Sequence, residues 1–398
     1  MPRHGVAGLA EDEGRIDALD GLRGLAILLV MIFHLTLVYP FGAAEKSILY
    51  MAGGIGWIGV DLFFVLSGFL ITGILIDTKD NRNFFSNFFA RRTLRIFPLY
   101  YATLIVVFLL MPAAGYFNTP ELNFIREHQV FSWTYMTNWG FVAAGGARFF
   151  NVEWLTLIHF WSLAIEEQFY LAWPFAVYFL NRRKFVGLCI LLMAGAVCGR
   201  LAVAALGIPQ GAAYTLTPFR IDTLVTGALI AVAVRDGTAK HRVFAAAPWA
   251  AAIAATLVLS VFMLRDGVWF ADRWMHTLGF SVLAIGWGGL LVMCLPDYRG
   301  GGLGLLFKPH WLRFFGKYSY GLYVIHPFVL AHFSPAPFAR FGMPEPLAAC
   351  LYIACGIVAF IVPAWLSWHL LEKHFLKLKR FFASAPDMAS PKRNLVRT

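Results

Sequence analysis

The groups in this sequence that could do chemistry are few, and they sit where charge is costly. His34, Asp61, Glu166, Glu167, Arg200, Arg220, Asp222 and His326 lie inside otherwise apolar runs, with Arg23 and His159 at the edges of two of them. Ionisable groups within a bilayer are expensive and usually functional. Arg23 and His34 are 11 residues apart. That spacing turns a helix by about 1100°, close to three full turns, and rises about 16.5 Å, so both share one face. A cation at one end of a groove and an imidazole farther along suit an extended, phosphate-bearing acyl carrier, with the imidazole as base. Asp61 matches His34 in depth on the next apolar run, and an Asp61–His34 contact is expected to orient the ring. Arg91, Arg92 and Arg95 are expected to share one helical side at a membrane face, where guanidinium forks fit phosphate oxygens. Glu166 and Glu167 need partners or protons, and Arg220, near Asp222, is the expected partner. Ser319, Tyr323 and His326 fall at helical spacing on one polar face. Ser67 lacks a Gly-x-Ser-x-Gly setting and reads as packing. The plainer alternatives are snorkelling arginines, contact with anionic lipid, and a structural polar network.

The elements that must position these groups follow from composition. Of 398 residues, 59% are hydrophobic and 14% charged, and the mean hydropathy is +0.67. A soluble domain carries roughly 25% charged residues. A soluble enzyme, a disordered chain and a nucleic-acid-binding domain are therefore excluded, despite a net charge of +11. The expectation is an all-α, polytopic membrane protein. Apolar stretches cover about 24–39, 55–76, 96–112, 130–143, 157–180, 185–206, 215–234, 245–264, 275–295, 318–333 and 347–371. The connections 77–95 and 181–184 are both basic and should both be cytoplasmic. Three apolar stretches lie between them, and only two crossings return the chain to one side. The short, aromatic 130–143 stretch is the one expected not to cross. It reads as an interfacial or re-entrant element. The connections 235–244 and 296–317 and the C-terminal tail are also basic. The count becomes ten transmembrane helices with both termini cytoplasmic.

The five cysteines, Cys189, Cys198, Cys294, Cys350 and Cys355, lie in apolar segments without metal-ligand or redox spacing. No metal is expected. The N-terminus mixes acids with arginines and does not read as a signal peptide. No internal repeat of the transporter kind is evident. One membrane domain is expected over 1–375, followed by a basic, disordered tail over 376–398.

At these residues the chain resembles the acyltransferase 3 family of membrane O-acyltransferases. Arg23 through His34 is similar to the family's Arg-x10-His motif. Gly59-Val60-Asp61-Leu62-Phe63-Phe64 through Ser67-Gly68-Phe69 resembles its second-helix motif, and Arg91-Arg92-x-x-Arg95-Ile96-x-Pro98-x-Tyr100 its arginine motif. Trp161-Ser162-Leu163-x-x-Glu166-Glu167-Gln168-Phe169-Tyr170 resembles the central signature. Arg220-x-Asp222, Ser319-Tyr320-x-x-Tyr323-x-x-His326 and Trp368-His369-x-x-Glu372-Lys373 continue the match in family order. His374 stands where the family usually has proline, and the esterase-like domain that some members carry is not expected within these residues.

The resemblance implies an O-acyltransferase of the bacterial inner membrane. It would move an acyl group, most simply acetyl, from acyl-CoA as co-substrate, with no bound cofactor. The acceptor would be a hydroxyl on an envelope glycan, exopolysaccharide, glycolipid or related metabolite. His34 and Asp61 become the catalytic pair, and Arg23, Arg91, Arg92 and Arg95 ligands for coenzyme A phosphates. Glu166, Glu167, Arg220, Asp222, Tyr323 and His326 become acceptor-binding or relay groups. Partners are acyl-CoA, the acceptor and membrane lipid, with no nucleic acid. A proton-coupled transporter or glycan exporter is the rival class, since buried His, Asp and Glu also suit proton relays.

Overall fold

The computed structural model describes residues 16–41, 48–115, 123, 126–143, 157–208, 211–340 and 342–382. All regular structure among them is helical. The long helices, in chain order, are α1 (Asp17–Val38), α2 (Ile48–Asp77), α3 (Phe84–Ala113), α4 (Phe160–Phe179), α5 (Arg182–Ala205), α6 (Gly211–Ala233), α7 (Gly237–Leu264), α8 (Met275–Met293), α9 (His310–Leu330) and α10 (Glu345–Phe382). Eight are long and apolar enough to cross a membrane; the other two are α4 and α9. These two, with 20 and 21 residues, have the length but a more polar composition, because they carry the carboxylate pair and the tyrosine-histidine face. The fold is that of an integral membrane protein.

The 130–143 stretch forms two short helices, Gln129–Trp133 and Thr137–Ala143. Neither approaches the ~20 residues a span requires. The turn between them places Tyr135 at φ 55°. Its ring stacks on Tyr100 of α3 with centroids 4.1 Å apart. The Tyr100 hydroxyl donates to the Ser132 carbonyl at 2.7 Å, and Gln168 of α4 donates to the Tyr135 carbonyl at 2.8 Å. At the other end of the chain, α10 stays helical to Phe382, past the expected start of the tail at 376. Residues 383–398 lie outside the described residues.

Helix α2 is the centre of the bundle, with 78% of its apolar window buried, against 11% for α7. Helix α7 turns Trp249, Ile253 and Met263 outward, as a lipid-facing helix should. Two contacts set the geometry around α2 and α1, and both depend on missing side chains. A Cβ on Gly68 of α2 would lie 1.8 Å from the Leu224 carbonyl oxygen of α6, and one on Gly24 of α1 would lie 2.0 Å from the Leu312 carbonyl oxygen of α9. Only glycine permits so close an approach of helix backbones.

The basic connections meet at one end of the bundle. Lys79 caps α4, donating to the Val177 and Leu180 carbonyls at 2.8 and 3.3 Å. Arg235 forks onto Asp77 at 2.8 and 2.5 Å, Arg182 pairs with Asp236, Lys240 with Asp297 at 2.7 Å, and Arg313 with Asp17 at 2.7 Å. The connections that charge counting assigned to one side of the membrane thus share one end of the molecule.

Candidate active site

A cavity opens between α1, α2, α3, α4 and α9. Its empty space, counting the part open to solvent, is about 820 Å³. Arg23 of α1 and Arg92 and Arg95 of α3 line it together with Ser67 of α2, Glu166 and Tyr170 of α4, and Tyr320 and Tyr323 of α9. Arg92 and Arg95 are three apart and so lie on one face of α3. The Arg92 guanidinium rests over the rings of Phe88 and Tyr170, with 5.8 and 5.7 Å to the centroids. Arg23 is tethered to Asp20 at 3.2 Å. Three guanidinium groups, with donors left unpaired among the described residues, converge here, a setting suited to phosphate. Arg91 does not join them. It is exposed and absent from the cavity wall, because one residue turns a helix by about 100° and carries it off the Arg92–Arg95 face.

The expected Asp61–His34 contact does not form. Asp61 is fully buried against Arg220, which is also fully buried, with Nη2 donating to Oδ1 at 2.6 Å. The reason lies in the helix faces. Gly56 and Gly59 turn toward Leu29 and Ala26 of α1, and Asp61, two residues beyond Gly59, points about 200° away. It shares instead the face of Gly68, seven residues on, which meets α6. Arg220 is therefore not the partner of Glu166 and Glu167 either. Its guanidinium stands 3.8 Å from the Phe280 centroid and within 6 Å of Phe64, Trp161 and Tyr214. Asp222 is likewise absent from the cavity wall. It accepts from Arg200 at 2.9 Å and from Ser281 at 2.6 Å, with Arg200 also donating to the Thr277 carbonyl at 3.0 Å. These two ion pairs lock α2, α5, α6 and α8 together.

Glu166 faces the cavity and its arginines. Glu167 lies on the next face, near enough to Tyr100, Tyr135 and Arg92 for their charges to interact, and its Oε1 has no hydrogen-bond partner among the described residues. Ser67, read from the sequence as packing, lines the cavity and shares a hydrogen bond with Tyr170. Gln168 ties the 130–143 segment to the bundle: it donates to Asn138 Oδ1 at 3.0 Å and accepts from Thr217. Neither role was singled out from the sequence. The signal for Ser67 was a hydroxyl inside a span that already carries Asp61 and Gly68, where it needs a partner.

Tyr323 also lines the cavity, whereas His34 and His326 are not among its lining residues. The Tyr323 hydroxyl donates to the His159 carbonyl at 2.9 Å and shares a hydrogen bond of 2.5 Å with Ser162. Behind it stand three imidazoles. The His326 ring centroid lies 4.9 Å from that of His34, 5.8 Å from His159 and 5.9 Å from the Tyr323 ring. His34 and His326, from α1 and α9, are thus brought together as a pair. His34 Nδ1–H donates to the Val30 carbonyl at 2.8 Å, which leaves its Nε2 lone pair free to act as base or nucleophile.

The chain matches the profile of an acyltransferase domain over residues 16–369. It is 29% identical over 374 residues to the peptidoglycan O-acetyltransferase of Listeria monocytogenes, covering 90% of this chain and 55% of the relative. It is 29% identical over 374 residues to a Bacillus subtilis protein named "Putative peptidoglycan O-acetyltransferase", covering 90% and 54%. A Staphylococcus aureus protein named "Putative O-acetyltransferase" is 26% identical over 376 residues, covering 91% and 57%. The chain therefore spans about half the length of these relatives. No solved structure matches it. The profile takes in every ionisable side chain of the cavity and of the two buried ion pairs, and the chain belongs to the acyltransferase 3 family.

Proposed function

We propose that this protein is an O-acetyltransferase of the bacterial inner membrane, with α1 to α10 spanning the bilayer and both termini cytoplasmic. It takes acetyl from acetyl-CoA and delivers it to a sugar hydroxyl of an envelope glycan. The observation that carries the reading is the single cavity joining three arginines to the tyrosine that fronts His34 and His326. The relatives named for peptidoglycan O-acetylation support a glycan acceptor.

Arg23, Arg92 and Arg95 hold the coenzyme A phosphates at the basic end of the bundle, and Arg91 supports the same end from outside the cavity. Strong charge-assisted bonds at the remote phosphates fix the carrier, so that the thioester reaches the histidines with little freedom left to lose. His34 Nε2 is the catalytic base or nucleophile. Asp61 acts on it indirectly, through the Arg220 pair that sets the position of α2 beside α1. Glu166 and Tyr323 line the cavity and bind the acceptor, with Glu167 and His326 outside the lining as relay groups. The test is acetyl-CoA consumption by purified protein: wild type consumes it, and His34→Ala does not. Consumption by His34→Ala at the wild-type rate overturns the mechanism.

A further inference from the structure

His34 and His326 are fixed in the same tautomer by the same device. His34 Nδ1–H donates to the Val30 carbonyl at 2.8 Å, and His326 Nδ1–H donates to the Leu322 carbonyl at 2.9 Å. Each acceptor is the carbonyl four residues earlier on the same helix. A carbonyl only accepts, so in both rings the proton sits on Nδ1 and the lone pair on Nε2. The two helices hold the rings in register. Gly24 backs onto Gly316, where a Cβ would come within 3.1 Å of the Gly316 nitrogen. His34 and His326 each follow ten residues later on parallel helices, with ring centroids 4.9 Å apart and planes at 61°.

The two imidazoles differ in access. His34 is half-buried, whereas His326 is fully buried and its Nε2 meets no hydrogen-bond donor among the described residues. A buried acceptor without a donor is costly to keep, and in native proteins such an atom calls for an explanation. His159 does not supply the donor, because its Nε2–H is turned to the Val324 carbonyl at 3.2 Å.

One imidazole cannot do both jobs of a two-step transfer. Once Nε2 of His34 carries an acyl group, that ring has no lone pair left for the acceptor's proton, and its Nδ1–H is engaged with Val30. We propose that His326 is a second catalytic residue, the base that serves the acyl-His34 intermediate; the inference rests on the acetyltransferase reading above. In the first step, His34 Nε2 bonds to the thioester carbon, the carbon–sulfur bond breaks, and coenzyme A leaves as thiolate. In the second, the acceptor oxygen bonds to the acetyl carbon and its proton passes to His326 Nε2. The carbon–Nε2 bond breaks, returning its electron pair to His34. The proton on His326 then passes to the thiolate, and both rings end as they began.

The experiment uses the full-length protein in detergent, labelled acetyl-CoA, and water as the acceptor, since water is a hydroxyl that is always present. Acid-quenched samples are digested and His34 is examined by mass spectrometry. General-base assistance contributes roughly 10²–10⁴-fold. His326→Gln should therefore load acetyl on His34 and discharge it to water at least about 100-fold more slowly than wild type. Hydroxylamine, which attacks acyl-imidazoles without a base, should discharge both proteins at equal rates, and this separates a lost base from a damaged fold. Discharge of His326→Gln to water at the wild-type rate overturns the inference. So does an absence of acetyl on His34 in His326→Gln while wild type consumes acetyl-CoA, and in that case the acetyltransferase reading stands. A wild-type protein that neither loads nor consumes acetyl-CoA overturns both.

Discussion

Severing the Asp61–Arg220 pair should cost folding free energy, and removing both partners together should restore most of it. The two side chains are fully buried and 2.6 Å apart, in a cluster that joins α2, α4, α6 and α8. Removing one partner of a buried pair strands the other charge and typically costs about 3–5 kcal/mol. Arg220→Leu should fall at the upper end, because Asp61 Oδ2 has no other hydrogen-bond partner among the described residues. Asp61→Leu should fall nearer about 3 kcal/mol, because Arg220 keeps the faces of Phe280, Trp161, Tyr214 and Phe64, and desolvated cation–π contacts are worth up to about 2 kcal/mol. Replacing both by leucine removes both desolvation penalties, and such swaps are often neutral or better. The two single changes thus sum to about 8 kcal/mol while the double change costs about 0–2 kcal/mol, a coupling of at least about 6 kcal/mol.

The assay is reversible unfolding in mixed micelles at rising mole fraction of sodium dodecyl sulfate, followed by tryptophan fluorescence and closed into a double-mutant cycle. Acetyl-CoA consumption by the same four proteins supplies the second axis. If the pair is a clamp, the double variant recovers activity along with stability. If Asp61 instead orients His34 directly, the double variant is stable and inactive. Additivity of the two single changes within about 0.5 kcal/mol, or a stable but inactive double variant, refutes the reasoning.

Arg92→Gln and Arg95→Gln should each raise KM for acetyl-CoA by about 10-fold or more with a smaller effect on kcat, since a hydrogen bond to a charged group is worth about 1.5–3 kcal/mol; Arg91→Gln should change KM by less than about 2-fold, and steady-state kinetics across the three separates them. Gly68→Leu should prevent assembly, because even its Cβ would lie 1.8 Å from the Leu224 oxygen, and size-exclusion chromatography should show aggregate in place of a monodisperse peak. At the basic end, the Arg182 guanidinium and the Ala239 N–H hold the Asp236 carboxyl down from 3.8 to about 2. Its contribution to stability is therefore present above pH about 4 and lost as pH falls through about 2. The difference in unfolding midpoint between wild type and Asp236→Asn should be seen at pH 6 and shrink steadily between pH 4 and pH 2.

Much of the architecture was legible because a bilayer imposes simple demands. Apolar runs had to become helices, and the parity of basic connections was enough to demote 130–143, which folds as two helices of 5 and 7 residues. The partner of Glu166 was not legible: the sequence offered Arg220, whereas Glu166 shares the cavity wall with Arg23, Arg92 and Arg95. The rotation of each helix about its own axis was not read. Depth matching paired Asp61 with His34, but depth says nothing about azimuth, and a residue on the correct level can face the wrong neighbour.

The azimuth was nonetheless written in the small residues. Seven residues turn a helix by about 700°, so positions seven apart differ by only about 20°. Asp61 and Gly68 therefore share a face of α2, and Arg220 and Gly227 share a face of α6. Gly68 packs on the Leu224 carbonyl and Gly227 on the Val65 carbonyl, so the glycine faces meet, and the charges one heptad earlier must meet with them. Arg235 pairing with Asp77 at the far end follows the same parallel register. On α1 and α9, Gly24 and Gly316 are each followed ten residues later by a histidine, and those histidines also meet. In a chain where hydrophobicity cannot choose between faces, since lipid and protein interior are equally apolar, the glycines mark which face each helix turns to its neighbour, and the buried charges take their partners from that choice.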